Sequence, residues 1–139
     1  MIDQIVRRSR RALLAVVVYG VALFWINHIP LTGLGIGVGN DKVAHFWAYG
    51  LLAFLLAWCV YPSRRGRLTG YLGLLAVVAL YGAADEVLQH FVPQRDADVA
   101  DWVADLIGAA VGLAFHATTA AAIGRLREAL SESAAESNP

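Results

Sequence analysis

The segment "LTGYLGLLAVVALYG" (residues 68–82) contains no charged side chain, and its apolar residues fall on every side of a helix instead of along one stripe. Helices of soluble proteins normally keep a polar face. A helix that crosses the hydrocarbon core of a membrane needs about 20 mostly apolar residues, and this segment reaches that length with its semi-polar flanks. The segment is therefore predicted to span a membrane.

Three further apolar runs have the same character: "ALLAVVVYGVALFWI" (12–26), "LLAFLLAWCV" (51–60) and "LIGAAVGLAF" (106–115). Of the 139 residues, 58% are hydrophobic and 16% are charged, and the mean hydropathy is +0.57. A soluble domain has about a quarter of its residues charged. The sequence predicts an all-α polytopic membrane protein, a four-transmembrane-helix bundle with helices near 10–29, 42–62, 68–90 and 100–121.

The N-terminal and C-terminal segments differ in composition from the four apolar runs. The basic start "RRSRR" followed by an apolar run is reminiscent of a signal peptide, but "WINHIP" follows instead of a small-residue cleavage site, which favours a retained first helix. Residues 1–122 are predicted to form one membrane domain. Residues 123–139 end in "SESAAESNP" and are predicted to be a largely disordered cytoplasmic tail.

The distribution of basic residues predicts the orientation. Short cytoplasmic loops of membrane proteins carry an excess of Lys and Arg. With four spans, one side of the membrane receives the basic residues Arg7, Arg8, Arg10, Arg11, Arg64, Arg65, Arg67, Arg125 and Arg127. The other side receives Lys42 and Arg95. This asymmetry predicts a multi-pass protein of the cell (plasma or inner) membrane with both termini in the cytoplasm.

Most other polar side chains then gather at the extracytoplasmic ends of the helices. They are Asn27, His28, Asp41, His45, Asp85, Glu86, Gln89, His90, Asp96, Asp98, Asp101 and Asp105. Three helix ends thus bring acids, amides or histidines to one level of the membrane. The sequence predicts an acidic polar pocket on the extracytoplasmic side.

Helical spacing places several of these groups on shared faces. In "DKVAHFWAYG", residues Asp41, His45 and Tyr49 are spaced i, i+4, i+8 and lie on one face. The residues Tyr81, Asp85 and Gln89 form a second such stripe, and Glu86 and His90 form a neighbouring one. On the fourth helix, one face carries Asp101, Asp105, Gly108 and Gly112. A small-xxx-small pair such as Gly108 and Gly112 allows close helix approach.

Asp85 and Glu86 lie inside a predicted span or at its margin, where an ionisable group is costly and normally faces protein or a water-filled cavity. Two interpretations are open. The acids could be interface anchors or members of an interhelical salt-bridge network with Lys42, Arg95 or the histidines. Alternatively, they could line a functional site, because clustered carboxylates often mark such sites.

Metal and cofactor binding receive little support from the sequence. His45, Asp85, Glu86 and His90 are suitable ligand types, but no spacing matches a ligand motif such as HExxH. Cys59 is a single cysteine, and the glycines of "LTGLGIGVGND" lack the βαβ context of a dinucleotide site. No metal or cofactor is predicted, and the formal net charge of zero does not suggest nucleic acid as a partner.

The segments "DKVAHFWAYGLLAFLL" (41–56) and "YGAADEVLQHFVPQRDADVADWVADLIGAAVG" (81–112) resemble the VanZ-like family. Members have an Asp-Lys-x-x-His-Phe helix start, then Asp-Glu-x-x-Gln-x-Phe-x-Pro-x-Arg, then Asp-x-x-x-Asn before a glycine-spaced helix. The chain departs from this pattern at Asp105, where Asn is common, and at Gln94, where Gly is common. The resemblance implies a small multi-pass membrane protein of a family named for low-level teicoplanin resistance.

By motif, the family positions present in this chain are Asp41, Lys42, His45, Tyr49, Asp85, Glu86, Gln89, Pro93, Arg95, Asp98 and Asp101. All of them except Pro93 are predicted to be ligand-binding residues. The resemblance does not assign catalytic roles to any of these positions. Asp105 adds a charge whose role the family pattern does not define.

Three functions are compatible with these patterns. The first is a non-enzymatic envelope protein whose pocket binds the head group of a lipid-linked component or a glycopeptide, with Lys42 and Arg95 holding an anionic group. The second is a membrane-embedded enzyme acting on a lipid-linked or phosphorylated substrate, with Glu86 or Asp85 as general base and His45 as general acid or base. A proton-coupled transporter is third, because no polar chain crosses to the cytoplasmic side.

Overall fold

The computed structural model describes residues 2–29, 41–60, 67–93, 95 and 97–136, with side chains between residues 10 and 135. These residues form α1 (Ile2–His28), α2 (Asp41–Val60), α3 (Arg67–Gln89) and α4 (Val99–Glu136). Each helix is long and apolar enough to cross a membrane. The predicted all-α, four-helix architecture is confirmed. The glycine-rich segment 31–40 lies outside the described residues.

Two helices extend beyond their predicted ends. α1 begins at Ile2, and α4 continues to Glu136 instead of ending near residue 121, so the structure replaces most of the predicted disordered tail with helix. The segment "AAIGRLREALSESAAE" is rich in Ala, Leu, Arg and Glu, which are strong helix formers. At about 1.5 Å per residue, α4 is about 57 Å long, well beyond a hydrocarbon core of about 30 Å.

The α2–α4 interface is the most extensive in the bundle, and glycines bring its two backbones into direct contact. A Cβ atom on Gly108 would lie 2.0 Å from the carbonyl oxygen of Phe46, and one on Gly112 would lie 2.0 Å from that of Gly50. No side chain fits at either position. The close approach predicted from the small-xxx-small pair is confirmed.

The remaining core is formed by small and branched apolar residues, and aromatic hydroxyls attach α1 to it. The hydroxyl of Tyr19 in α1 donates to the carbonyl oxygen of Ala48 at 3.0 Å, and the hydroxyl of Tyr81 in α3 donates to that of Gly20 at 2.9 Å. The buried apolar core comprises Leu23, Tyr49, Leu52, Ala53, Ala57, Leu74, Val78, Ala109 and Leu113.

The outer surface of the bundle is strongly apolar. Large side chains such as Trp25, Trp47, Leu80 and Phe115 are 60–72% exposed. Exposed apolar patches of this extent are rare on soluble monomers and are expected where a helix faces lipid. The chain is therefore a multi-pass membrane protein.

The connection between α3 and α4 lies at the end of the bundle that carries the polar groups. Asp98 precedes the first residue of α4, and its Oδ1 accepts a hydrogen bond from the backbone N–H of Ala100 at 2.8 Å, which is the geometry of an N-cap. The N-terminal ends of α2 and α4 therefore lie beside the C-terminal ends of α1 and α3. This arrangement positions the candidate site.

Candidate functional site

Asp85 of α3 lies at the centre of the polar cluster and is 2% exposed. Its Oδ2 atom accepts hydrogen bonds from Asn27 Nδ2 at 2.6 Å, from the Tyr49 hydroxyl at 3.0 Å and from Gln89 Nε2 at 3.1 Å. Three helices thus supply donors to one carboxylate oxygen. The spacing of Asp85 and Gln89 by one helical turn allows the local bond, whereas the other two require the assembled bundle.

The second oxygen of Asp85 faces His28. The distance between His28 Nδ1 and Asp85 Oδ1 is 3.6 Å, while the same nitrogen lies 2.8 Å from the carbonyl oxygen of Phe24. Because a carbonyl oxygen only accepts, His28 Nδ1 carries the hydrogen in that bond. Asp85 is therefore held by directed hydrogen bonds at Oδ2 and by a longer electrostatic contact at Oδ1.

His45 of α2 and Asp105 of α4 form a second buried pair. His45 Nδ1 lies 2.9 Å from Asp105 Oδ1, and the two residues are 4% and 1% exposed. With Asp105 ionised, Nδ1 is the donor and Nε2 keeps its lone pair. His45 Nε2 lies 3.9 Å from Asp41 Oδ1, one helical turn earlier in α2. The carboxylate of Asp105 thereby fixes the orientation of the His45 ring.

Glu86 of α3 is 7% exposed and links the cluster to the α3–α4 connection. Its Oε2 atom accepts the backbone N–H of Asp98 at 2.9 Å. This bond joins the end of α3 to the residue that caps α4. Glu86 therefore occupies the cluster with one oxygen committed to the backbone.

Lys42 forms the polar rim of the site. Its Nζ atom donates to Asp98 Oδ2 at 2.6 Å and to Asp101 Oδ1 at 2.8 Å. The hydrogen bond from Lys42 holds the pKa of the Asp98 carboxyl below its usual value, with a further contribution from the backbone N–H of Ala100. One alternative left open by the sequence paired Lys42 with Asp85 and Glu86; the structure pairs it with Asp98 and Asp101 at the start of α4.

Several buried oxygens in the cluster have no hydrogen-bond partner among the described residues: Asp85 Oδ1, Glu86 Oε1 and Asp105 Oδ2. Buried polar atoms are normally satisfied, and exceptions call for a physical account. All three atoms are acceptors when ionised. The cluster therefore presents unused hydrogen-bond and metal-ligand capacity.

Two groups of side chains have ligand atoms close enough for a shared ion. One is Asp41, His45 and Asp101; the other is His45, Glu86 and Asp105, and in each group the ligand atoms lie within 4.8 Å of one another. The residues that the sequence offered as possible metal ligands also included Asp85 and His90. Among these, the structure brings His45 and Glu86 together, whereas the side chain of His90 is exposed.

Most of the predicted site residues are brought to one end of the bundle. They are Asp41, Lys42, His45, Tyr49, Asp85, Glu86, Gln89, Asp98 and Asp101. Arg95 is partly buried in the α3–α4 connection, and its guanidinium makes no hydrogen bond or ion pair with another described residue. Whether these residues bind a ligand stays a prediction.

Asn27, His28 and Asp105 contribute more than the sequence suggested. Asn27 donates the shortest of the bonds to Asp85. An amide at the end of an otherwise apolar helix is the signal for such a role. His28, predicted only to lie at an extracytoplasmic helix end, approaches Asp85, and Asp105 orients the ring of His45.

The other end of the bundle contains a separate aromatic cluster. His116 of α4 is 1% exposed and lies among the rings of Phe54, Trp58 and Tyr71, with its Nδ1 atom 2.9 Å from the Tyr71 hydroxyl. These contacts make His116 part of the packing between α2, α3 and α4.

The fold and the cluster together define a class: small four-helix membrane proteins with a buried acid–histidine cluster at one end of the bundle. The model of the VanZ/LLP1 family matches residues 6–120. The chain belongs to this family, as the motif resemblance predicted.

A curated relative comes from Schizosaccharomyces pombe and is an uncharacterised protein. It is 38% identical over 74 residues, which cover 53% of this chain and 44% of the relative. The chain therefore matches less than half of that protein's length. No solved structure shows a significant match to the chain.

Proposed function

We propose that this protein binds a donor-rich polar head group at the extracytoplasmic end of its bundle and thereby contributes to envelope function, including protection against glycopeptides such as teicoplanin. The observation that carries the proposal is that buried carboxylate oxygens of Asp85, Glu86 and Asp105 accept no hydrogen bond from the part of the chain that the structure describes. Such oxygens accept hydrogen bonds from hydroxyl or amino groups. A sugar- or amine-bearing head group supplies those donors.

The proposed orientation follows from the positive-inside rule, with both termini in the cytoplasm of a plasma or inner membrane. The cluster then lies on the extracytoplasmic side, at the level of lipid head groups. Lys42 is already engaged by Asp98 and Asp101, which leaves Arg95 as the cation suited to an anionic part of a ligand.

The ligand proposed is a lipid-linked envelope component or a lipoglycopeptide. The relative in a yeast favours a head group that does not depend on a bacterial wall polymer, because fungal envelopes have no such polymer. A glycolipid-type head group supplies hydroxyl donors and does not depend on a bacterial wall polymer. Binding without turnover is the expected signature of this function.

The test is the teicoplanin susceptibility of a sensitive host that expresses the wild type, Glu86→Gln or Asp85→Asn, with membrane levels matched by blot. Protection by the wild type should be lost in both variants, since each removes a cluster carboxylate with little change in shape. His90→Gln is the matched control, because His90 is exposed at the same end of the bundle. Protection that survives both carboxylate changes would reject the proposal.

One observation favours an enzyme as the second candidate. His45 is oriented by Asp105 at 2.9 Å, and Glu86 Oε1 is a buried carboxylate oxygen with no partner among the described residues. A carboxylate-oriented histidine beside a second carboxylate is a recurrent general acid–base arrangement. Asp85 suits a base poorly, because its Oδ2 already accepts three hydrogen bonds.

The two candidates differ in turnover. An enzyme of this kind would convert a lipid-linked or phosphorylated substrate, and Glu86→Gln would abolish conversion while leaving substrate binding in place. Mass spectrometry of lipid extracts from cells with and without the protein distinguishes them. Identical extracts combined with teicoplanin protection would exclude the enzyme and retain the binding protein.

A further inference from the structure

Three helices each contribute one side chain with metal-ligating atoms to a single buried point. His45 of α2, Glu86 of α3 and Asp105 of α4 are 4%, 7% and 1% exposed, and one ligand atom from each lies within 4.8 Å of the others. The residues are far apart in sequence, so no ligand-spacing motif predicts the set. Only the folded bundle assembles it.

At most one of the two carboxylates at this point is balanced by a charged histidine, because His45 lies 2.9 Å from Asp105. Glu86 and Asp105 are carboxylic acids, and within the described parts of the chain neither makes an ion pair with a lysine or arginine. The ammonium of Lys42 is engaged by Asp98 and Asp101. A buried carboxylate without a compensating cation is strongly unfavourable. A divalent cation would supply the missing positive charge.

Two of the carboxylate oxygens that have no hydrogen-bond partner among the described residues belong to these same two acids. Glu86 Oε1 and Asp105 Oδ2 are buried and have no partner among the described atoms, whereas Glu86 Oε2 and Asp105 Oδ1 are engaged. Asp105 Oδ2 lies 3.0 Å from the position that a Cβ atom on Gly82 would occupy. The absence of a side chain at Gly82 therefore leaves room beside an unused ligand atom.

The observed spacing suits ligands of one ion. His45 Nδ1 and Asp105 Oδ1 are 2.9 Å apart as a hydrogen-bonded pair, so coordination of a metal ion through Nδ1 releases the proton on that nitrogen. Ligands about 2.1 Å from a tetrahedral Zn²⁺ ion are about 3.4 Å apart. The ligand atoms of the three residues lie within 4.8 Å of one another, so side-chain shifts on the order of 1 Å would bring them to that spacing.

The geometry points to a divalent transition-metal site formed by His45, Glu86 and Asp105. One imidazole nitrogen with two carboxylates is a donor set that suits Zn²⁺, and three protein ligands leave a position for water or another oxygen ligand. The neighbouring group with Asp41 and Asp101 is less suitable, because Asp101 Oδ1 already accepts the ammonium of Lys42 at 2.8 Å. The metal site uses two of the three acids on which the proposed head-group binding rests, and a titration with Zn²⁺ alone tests the metal site without any head group.

The experiment titrates Zn²⁺ alone into the purified full-length chain in detergent after treatment with a chelator. Calorimetry of the wild type should show one strong site per chain, with Mg²⁺ binding at least tenfold more weakly. His45→Gln and Glu86→Gln should weaken Zn²⁺ binding at least about tenfold, the lower end of what losing even a supporting group costs a metal site. Asp105→Asn, which keeps the shape of the side chain, should weaken binding in the same direction.

Matched controls separate this site from adventitious binding. His90→Gln and Glu132→Gln change the same residue types at exposed positions and should bind Zn²⁺ like the wild type. Thermal unfolding with and without Zn²⁺ confirms that each variant is folded and shows whether the ion stabilises it. The proposal is overturned if the wild type lacks a strong site, if Mg²⁺ binds equally well, or if the folded site variants bind as tightly as the controls.

Discussion

At the scale of single residues, the function of Asp85 is best understood from the donors around it. Asn27, Tyr49 and Gln89 all donate to Oδ2, and each donor is buried. Leaving a buried donor without an acceptor costs about 1–3 kcal/mol, while hydrogen bonds between transmembrane helices average about 0.6 kcal/mol in net stability. The cost of substitution at Asp85 therefore depends on whether an acceptor remains.

Asp85→Asn should be tolerated and Asp85→Leu should not. The asparagine carbonyl can still accept from the three donors, so we expect a loss of stability below about 2 kcal/mol. The leucine offers no acceptor and should cost about 2–5 kcal/mol. Thermal unfolding in detergent measures the difference, with Glu132→Leu at an exposed position of α4 as the control. Equal losses in the two Asp85 variants would contradict the hydrogen-bonded role.

Asp98 offers a prediction on pH. Its folded-state pKa is lowered by Lys42 and by the N–H of Ala100, so its contribution to stability is present above the unfolded pKa of about 3.9 and is lost as the pH falls through the folded value. Asp98→Asn keeps an N-cap acceptor but removes the charge. The wild type should unfold at a higher temperature than this variant at pH 7. The difference between the two unfolding temperatures should disappear as the pH falls below about 3.9.

A difference in unfolding temperature between the wild type and Asp98→Asn that stays constant from pH 7 to pH 3 would contradict this prediction. It would show that Asp98 does not act through its charge. Lys42→Met is the complementary variant, because it removes the cation from the same contact. The pH dependence of the Asp98→Asn effect should largely disappear in that background.

Residue spacing predicted which side chains share a helix face, but it could not predict their partners. The stripes with His45, Tyr49, Asp85 and Gln89 are buried as expected. Their contacts depend on the rotation of each helix about its own axis, which is set by packing between distant parts of the chain. For that reason the sequence left the partner of Lys42 open and did not indicate the contact between Asp105 and His45.

At the scale of helices, backbone contact between α2 and α4 holds the site together. His45 lies one residue before Phe46, and Asp105 lies three residues before Gly108. The contact between the backbones at Gly108 and Phe46 therefore sets the distance between the His45 ring and the Asp105 carboxylate. A change that separates these backbones would also stretch the pair. Stability and site geometry are thus coupled through the same interface.

Gly108→Ala and Gly112→Ala should destabilise the bundle. Each added methyl would lie 2.0 Å from a carbonyl oxygen of α2, and overpacking of this kind typically costs about 1–3 kcal/mol or more. Gly20→Ala and Gly73→Ala are matched controls with no atom within 4 Å of the new methyl. The controls should be neutral or stabilising by up to about 1 kcal/mol, because alanine favours helix over glycine. Thermal unfolding of the four variants tests the contrast.

A similar loss in all four variants would indicate that helix flexibility, not close approach, explains the glycines. The pair at Gly108 and Gly112 was predictable from its spacing, because small residues four apart form one helix face. The length of α4 was not predictable, since the polar residues of "SESAAESNP" are typical of a disordered segment. The Ala, Leu and Arg content of the preceding segment carries the helix through to Glu136.

At the scale of the whole molecule, apolar length was enough to predict four helices, because a membrane fixes the number of residues that a span requires. The same argument does not give the direction of insertion. Asp98 and the cluster acids lie at one end of the bundle, whereas Arg67 at the start of α3 and Arg125 and Arg127 of α4 lie toward the other. Orientation is therefore a prediction from charge, and it can be tested by itself.

Single-cysteine labelling tests this orientation directly. Cys59 is the natural cysteine, so Cys59→Ser provides a background in which Ala97→Cys and Ser133→Cys each create one exposed thiol at opposite ends of the bundle. In intact cells, a membrane-impermeant maleimide should label the Ala97→Cys chain and leave the Ser133→Cys chain unlabelled. Both should be labelled after the membrane is permeabilised, which is the control for accessibility. The reverse pattern in intact cells would place the acid–histidine cluster in the cytoplasm, and a head group of the outer leaflet could then not be its ligand.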